Sequence, residues 1–338
     1  MEYTVINGIS AVKLWLRMKD DWNSWVDEHP NASIDFGGIN FSNYRDECSN
    51  KEVIFFDKYI FPKGFNSFQF TVFGNMDSSF QNTLFNGLAD FSNSDFGKGE
   101  VNFENAVFME DVSFKEIKST EFIIRFNLRY ASFHRNLILP NSKFNCVPDL
   151  RDTKITNQIT LHGTQCKLHR ERGPLWGTKR ATDPEDASRL RRLKEIAENN
   201  KDHERSLAFH ADEMRARRWH ELSKVASILD MIFSGLCDYG RSIFRPSGMF
   251  LLFNSLLAML YACPFPGNGE KLLKGYELAF ANALPFLPTS HTLREKNIEF
   301  LFQTDIPAWL GTVTTVQGVI SFIFLFLIGL GLRNRFRI

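Results

Sequence analysis

Three sets of polar side chains in this 338-residue chain have types and spacings that could do chemistry. His210 and Glu213 are three apart, so a helix would place them on one face, as in carboxylate–histidine metal sites. No second carboxylate set accompanies that pair. His162, Cys166 and His169 have loosely ligand-like spacing, but a tetrahedral site needs a fourth ligand. Both sets read as surface and packing residues, and no metal or cofactor is expected. The third set is Thr314, Gln317 and Ser321, at helical spacing inside an apolar run and continued by Leu325 and Ile328. Polar groups in a bilayer face protein or water. This stripe reads as a pore lining, polar above and narrowed below by Leu325 and Ile328. The other account is that the hydroxyls bond back to their own helix and Gln317 joins two helices. A Gly-rich phosphate loop, H-E-x-x-H and G-x-S-x-G are all absent, so no enzyme is expected.

The elements that must carry the third set lie in the last hundred residues. SGMFLLFNSLLAMLYACPF (247–265) is apolar apart from Asn254 and Ser255 and predicts a short membrane span. IPAWLGTVTTVQGVISFIFLFLIGLGL (306–332) predicts a second span with some tilt. Arg241 and Arg245 precede the first; Arg333, Arg335 and Arg337 follow the second, which places both termini on the cytoplasmic side. MEYTVINGIS has no basic region followed by an apolar run, so no signal peptide is expected. The five cysteines (Cys48, Cys146, Cys166, Cys237, Cys263) are scattered and odd in number, which suits a reducing compartment. Before the first span, Ile228, Leu229, Ile232, Phe233 and Leu236 share one face of a helix expected to lie along the membrane surface.

Between the spans, GYELAFANALPFLPTS (275–290) is apolar, too short to cross, and ends in Pro285 and Pro288. Span, short half-helix, span resembles the plan of two-transmembrane ion channels. That resemblance makes 275–290 a re-entrant pore segment, with Asn282, Pro285, Phe286 and Pro288 as filter candidates. The Thr-Val-Gly-Tyr-Gly potassium filter is absent. The alternative is an interfacial loop at the outer leaflet. Two spans cannot enclose a water path alone, so a pore implies a homo-oligomer, a tetramer if the potassium-channel likeness holds.

The polar first part of the chain has its own signal. Of the 34 phenylalanines, 20 lie between Ile34 and Asn145. Five-residue steps recur at Phe36/Phe41, Phe56/Phe61, Phe68/Phe73, Phe80/Phe85, Phe91/Phe96 and Phe103/Phe108. Helices favour steps of three and four, and flat strands favour two. Two residues before most rings the side chain is small or β-branched, as at Ser78, Thr83, Ala89, Ser94, Val101 and Ala106. Extended residues at i−2 and i point to the same face. The residues that follow, often Asn, Ser, Gly or Asp, suit a turn. A chain turning every five residues builds a stacked coil with the rings inside. LADFSNSDF and NFENAVF resemble the pentapeptide-repeat proteins, with Phe where Leu is commoner. The resemblance implies a right-handed quadrilateral β-helix over about 34–165, weakening after Phe114, with extra residues bulging some corners. Trp15, Met18, Trp22 and Trp25 would close the first coil, since an open end exposes rings and strand edges.

Charge adds a little. The net charge is +1, with seven acids against one Lys between Asp77 and Asp111 and eleven basic residues against three acids over 122–180. Such a bipolar rod is a poor duplex mimic, and no nucleic-acid partner is expected. The readings divide the chain into an N-terminal helical cap (1–33), a β-helix (34–170), a linker (171–184), a helical hairpin (185–222), an interfacial amphipathic helix (223–246) and a two-transmembrane domain (247–338). In the hairpin, Leu190, Leu193 and Ala197 share one face, and Leu207, Ala211, Met214 and Arg218 continue at helical spacing. The ending FLFLIGLGLRNRFRI looks like that of pentapeptide-repeat proteins carrying a channel-like module. The expectation is an oligomeric channel-like protein of the bacterial inner membrane, gated through a cytosolic repeat domain that senses a protein or small ligand. The alternative is a non-conducting membrane-tethered scaffold.

Overall fold

The computed structural model describes residues 4–47, 53–262, 269–303 and 306–336; Cys48, Cys263 and Arg337 lie outside them. The chain divides into two units, Met1–Lys224 and Val225–Ile338.

The first unit is built on parallel strands of two or three residues, consistent with a β-helix. One sheet runs Val5–Asn7, Ser33–Asp35, Asn66–Ser67, Ala89–Asp90, Val112–Ser113, Leu137–Ile138 and Ile159–Thr160. A second runs from Ile60–Phe61 to Lys154–Ile155, and a third from Val53–Phe55 to Arg125–Asn127. A fourth ladder is made of the single bridges Asn40–Val72–Asp95–Lys118. Register partners such as Phe61, Phe85, Phe108 and Phe133 are 24, 23 and 25 residues apart, which is the length of one coil.

Two kinds of corner explain the beat. After Phe80, Phe91 and Phe103 the chain turns through Asn82, Asn93 and Asn105, all with φ between +56° and +59°. Asn tolerates that left-handed backbone better than most residues. The next ring then falls five residues on. At the intervening corners the chain carries one or two more residues, so Phe85 to Phe91 is six and Phe96 to Phe103 is seven.

The rings fill the interior in columns. Phe56, Phe80 and Phe103 stack at 4.8 and 4.6 Å between centroids. Phe61, Phe85, Phe108 and Phe133 do so at 4.5, 4.9 and 5.2 Å. Phe68, Phe91 and Phe114 form a third column, and Phe73 with Phe96 a fourth. Neighbouring columns meet edge to face, as Phe80 meets Phe91 at 87°, the geometry the ring quadrupole favours. Phe80, Phe85, Phe91, Phe96, Phe103 and Phe108 are all fully buried. Beyond Phe114 aliphatic residues such as Leu128, Leu139 and Leu150 alternate with the buried rings of Phe126, Phe133 and Phe144.

Helices α1 (Gly8–Trp15) and α2 (Met18–Glu28) cover the first coil. The indole N–H groups of Trp15 and Trp22 donate to the carbonyls of Phe55 and Ile60, both at 2.8 Å. Trp25 is partly buried against the same core and stacks on His29. Met18 departs from its expected role. The backbone breaks between the two helices, with Met18 at φ +73°, and its side chain is exposed.

The segment expected as a linker is ordered. Arg170–Arg172 and Lys179–Ala181 pair as an antiparallel hairpin. Then α3 (Asp186–Asn199) and α4 (His203–Arg217) form a helical pair. Leu190, Leu193 and Ala197 are buried as expected. Of the four residues expected to continue the face, Ala211 and Arg218 are buried and Leu207 and Met214 only partly so; Ser206, Phe209, Glu213 and Ala216 complete the buried set. An ionic cluster holds α3 on the last coils: Arg189 reaches Asp149, Asp183 and Asp186, and Arg151 reaches Asp149 and Glu185.

The second unit is helical: α5 (Lys224–Cys237), α6 (Phe244–Ala262), α7 (Gly269–Ala283), α8 (Ser290–Phe302) and α9 (Trp309–Phe336). Among the described residues α9 alone is long and apolar enough to cross a membrane, with a mean hydropathy of 2.2. The expected first span is the 19-residue α6, which takes Phe244, Arg245 and Pro246 into its first turn; the end of that span, 263–265, lies outside the described residues. The expected half-helix begins earlier, at Gly269, and stops at Ala283. Helix α8 was not anticipated; its polar residues hide it from hydropathy.

Candidate functional site

The chemistry-bearing residues of the helical unit converge on one point. Helix α6 supplies Asn254 and Tyr261, α7 supplies Asn282, and α9 supplies Gln317 and Ser321; all five are buried. The Gln317 amide is at the centre. Its Nε2 donates to Asn254 Oδ1 at 2.7 Å and to the Ala279 carbonyl at 2.8 Å. Its Oε1 accepts from the Tyr261 hydroxyl at 2.6 Å and from Asn282 Nδ2 at 3.3 Å. Ser321 Oγ lies 3.5 Å from Asn254 Oδ1, and Asn254 Nδ2 donates to the Phe250 carbonyl at 2.9 Å. The full donor and acceptor capacity of a Gln side chain is thus used within the chain. The Asn282 carbonyl oxygen is buried with no protein partner.

Small residues let the helices approach closely enough for this. A Cβ added at Gly275 would sit 2.5 Å from the Ala258 carbonyl oxygen. Below the cluster, Phe250, Ala283 and Phe324 pack with Phe253, Leu325 and Ile328.

The expected site residues are therefore placed as follows. Gln317, Ser321 and Asn282, assigned from separate segments, come together. Gln317 and Ser321 face α6 and α7 of the same chain instead of an open path, because helix packing satisfies their polar atoms. Thr314 donates to the Gly311 carbonyl on its own helix. Leu325 and Ile328 are partly buried packing residues. Pro285, Phe286 and Pro288 lie exposed in the turn between α7 and α8. Asn254 was visible in the sequence only as an interruption, and Tyr261 gave no signal, since their partners are more than fifty residues away.

The other two sets have simpler fates. Glu213 is held by Arg191 at 3.0 Å and Lys194 at 2.9 Å, with His210 Nδ1 at 3.9 Å. Burial opposes its ionisation, but His210, Lys194 and Arg191 overcome this and bring its carboxyl down to about 2. His162 is exposed, the Cys166 thiol is pushed up by burial, and a ring nitrogen of His169 meets the Asn145 carbonyl. Burial likewise raises the Cys146 thiol to about 11. Among the described residues no three His, Cys, Asp or Glu side chains gather as a metal site would require.

Residues 75–118 match the family model for pentapeptide repeats (9 copies). No curated protein and no solved structure matches the chain.

Proposed function

We propose that the chain is a membrane-tethered repeat scaffold of the bacterial inner membrane, with its β-helix presented to a cytosolic protein or small ligand. The observation that carries this reading is the polarity of α9. Its buried face holds Gln317 and Ser321 between Leu310 and Phe324, while Val316, Val319, Phe322, Ile323 and Phe326 are exposed on the chain. Burying amides and showing aromatic rings is costly in water and favourable in lipid. Helix α6 is a candidate second crossing, and the basic residues just before and at the start of α6 (Arg241, Arg245) and at the end of α9 (Arg333, Arg335) favour cytoplasmic termini. Four ladders of parallel pairing support a quadrilateral form of the coil, and the family resemblance implies its right hand. The reading assigns no enzymatic role and no nucleic-acid partner. Alkaline carbonate treatment of membranes tests it: the wild-type chain should stay in the pellet, and Phe322→Lys with Phe326→Lys should release it. A wild-type chain recovered in the supernatant removes the tether.

One observation favours a second reading, a homo-oligomeric channel. The side-chain oxygen of Asn282 is unpartnered within the buried polar cluster beside Gln317, where a water or a cation would satisfy it. Planar-bilayer recordings of the purified chain beside Gln317→Leu test this. Discrete currents altered by the substitution support a conducting path through the cluster. Currents that persist unchanged when Gln317 and Thr314 are both replaced place any path elsewhere.

A further inference from the structure

The hairpin at 170–181 joins two features that a water-facing turn does not need. Its tip carries Trp176, 92% exposed, and Leu175, 43% exposed. Its strands carry Arg170, Arg172, Lys179 and Arg180 against the single carboxylate of Glu171, which pairs with Arg180 at 2.7 Å. The tip is held in one shape. Thr178 N donates to the Leu175 carbonyl at 3.0 Å, and Thr178 Oγ1 reaches the same oxygen at 2.6 Å. Gly177 has φ +77°, as the third residue of a type II turn requires. The base is fixed as well: Ala181 is fully buried, and a ring nitrogen of His220 lies 2.8 Å from its carbonyl oxygen. Trp176 is thus displayed by an ordered turn, with no packing gain within the chain.

We infer that this hairpin is a docking element for an anionic lipid surface, with Trp176 and Leu175 entering the headgroup–acyl boundary and Arg170, Arg172 and Lys179 pairing with lipid phosphates. The inference rests on the membrane reading of α9. Trp is the side chain most at home at that boundary, because its ring is apolar and its N–H is polar. Basic residues beside an anionic leaflet each strengthen attachment about fivefold. The combination of apolar tip and cationic flanks is the complement of such a surface. A protein partner with an acidic rim around an apolar pocket is the competing occupant.

The test uses the full chain reconstituted in phosphatidylcholine vesicles with and without phosphatidylglycerol, the acyl chains brominated to quench nearby tryptophan. Subtracting the emission of Trp176→Phe isolates Trp176 from the other five tryptophans. Trp176 should be quenched in the anionic vesicles. Each of Arg170→Gln, Arg172→Gln and Lys179→Gln should lower the docked-to-undocked ratio by about fivefold. These positions are exposed, and unchanged circular dichroism will show that the variants fold. A chain that floats with the vesicles while Trp176 stays unquenched overturns the lipid assignment and favours the protein partner. A chain that does not float overturns the membrane reading of α9 instead. The soluble chain is then added to preformed anionic vesicles, where absent Trp176 quenching overturns the docking inference separately.

Discussion

Both units bury apolar side chains, but they differ in what else they bury and in what they show outside. The β-coil hides Phe rings in columns and leaves Asn, Asp and Ser at its corners. The helical unit hides Asn254, Tyr261, Asn282, Gln317 and Ser321 and leaves Phe322, Ile323 and Phe326 outside. The same chemistry, a partner for every polar atom and a dry place for every apolar one, gives contrary arrangements when the surroundings differ. The contrast lies in the outer faces: polar at the corners of the coil, apolar along α9, which among the described residues is the helix long and apolar enough to cross a membrane.

Four substitutions would break or sharpen this contrast. The largest effect is expected from Phe96→Asp. A carboxylate in the ring columns has no partner, and the cost should match the ~5–15 kcal/mol that holds a domain together. The cooperative thermal transition of the coil should vanish, while Phe96→Leu keeps it. A wild-type melt for the Asp variant would mean the interior is not a dry stack.

The next concerns Glu213. Its folded carboxyl is lowered from 4.5 to about 2, so its ion pairs stabilise fully above pH 4.5 and are lost as the pH falls toward 2. The shift corresponds to about 3 kcal/mol. Glu213→Gln should therefore be destabilised at neutral pH, and its deficit against wild type should shrink through that window in chemical denaturation. A deficit constant with pH would show that packing, not charge, fixes the α3–α4 pair.

Gln317→Leu should lower the melting temperature in detergent by removing about 1–3 kcal/mol, because the Tyr261 hydroxyl and the Ala279 carbonyl lose their partner in a dry site. The opposite result, an unchanged or raised melt, would mean the cluster is kept for something other than packing. The smallest effect is expected at the corners. Asn105→Ala keeps the β-carbon at φ +57° but removes the polar side chain that lets Asn tolerate it, and should cost about 1 kcal/mol, whereas Asn105→Gly should cost less. Equal melts for the two would remove the left-handed corner as the reason for Asn.

Much of the coil was legible because its signal is local. The beat from Phe80 to Phe108 sits inside single coils, and the small residue two places before each ring marks the same inward face. The Trp15 and Trp22 contacts were legible as a need for a cap, though not as hydrogen bonds to Phe55 and Ile60. The amide cluster was half legible. Helical spacing placed Gln317 and Ser321 on one stripe, yet spacing does not say whether a stripe meets water or a neighbouring helix. That depends on Asn254 and Tyr261, which lie far away in the chain. The hairpin within the expected linker is not legible, because Gly173, Pro174 and Gly177 read equally as a loose connection and as a tight turn. Helix α8 was missed because SHTLREKNIEFLF has no dominant apolar face to detect.

The partial change from phenylalanine to leucine past Phe114 has a mechanical consequence. Each ring in a column touches its copies above and below, so adjacent aromatic coils are strongly coupled, whereas coils partly filled by Leu128, Leu139 and Leu150 have weaker neighbours. Opening of such a linear stack starts where coupling is least. Under tension or partial denaturation the fracture front should enter from the leucine end, beneath the ionic cluster of Arg189, and slow where it meets the ring contacts of Phe126 and Phe133.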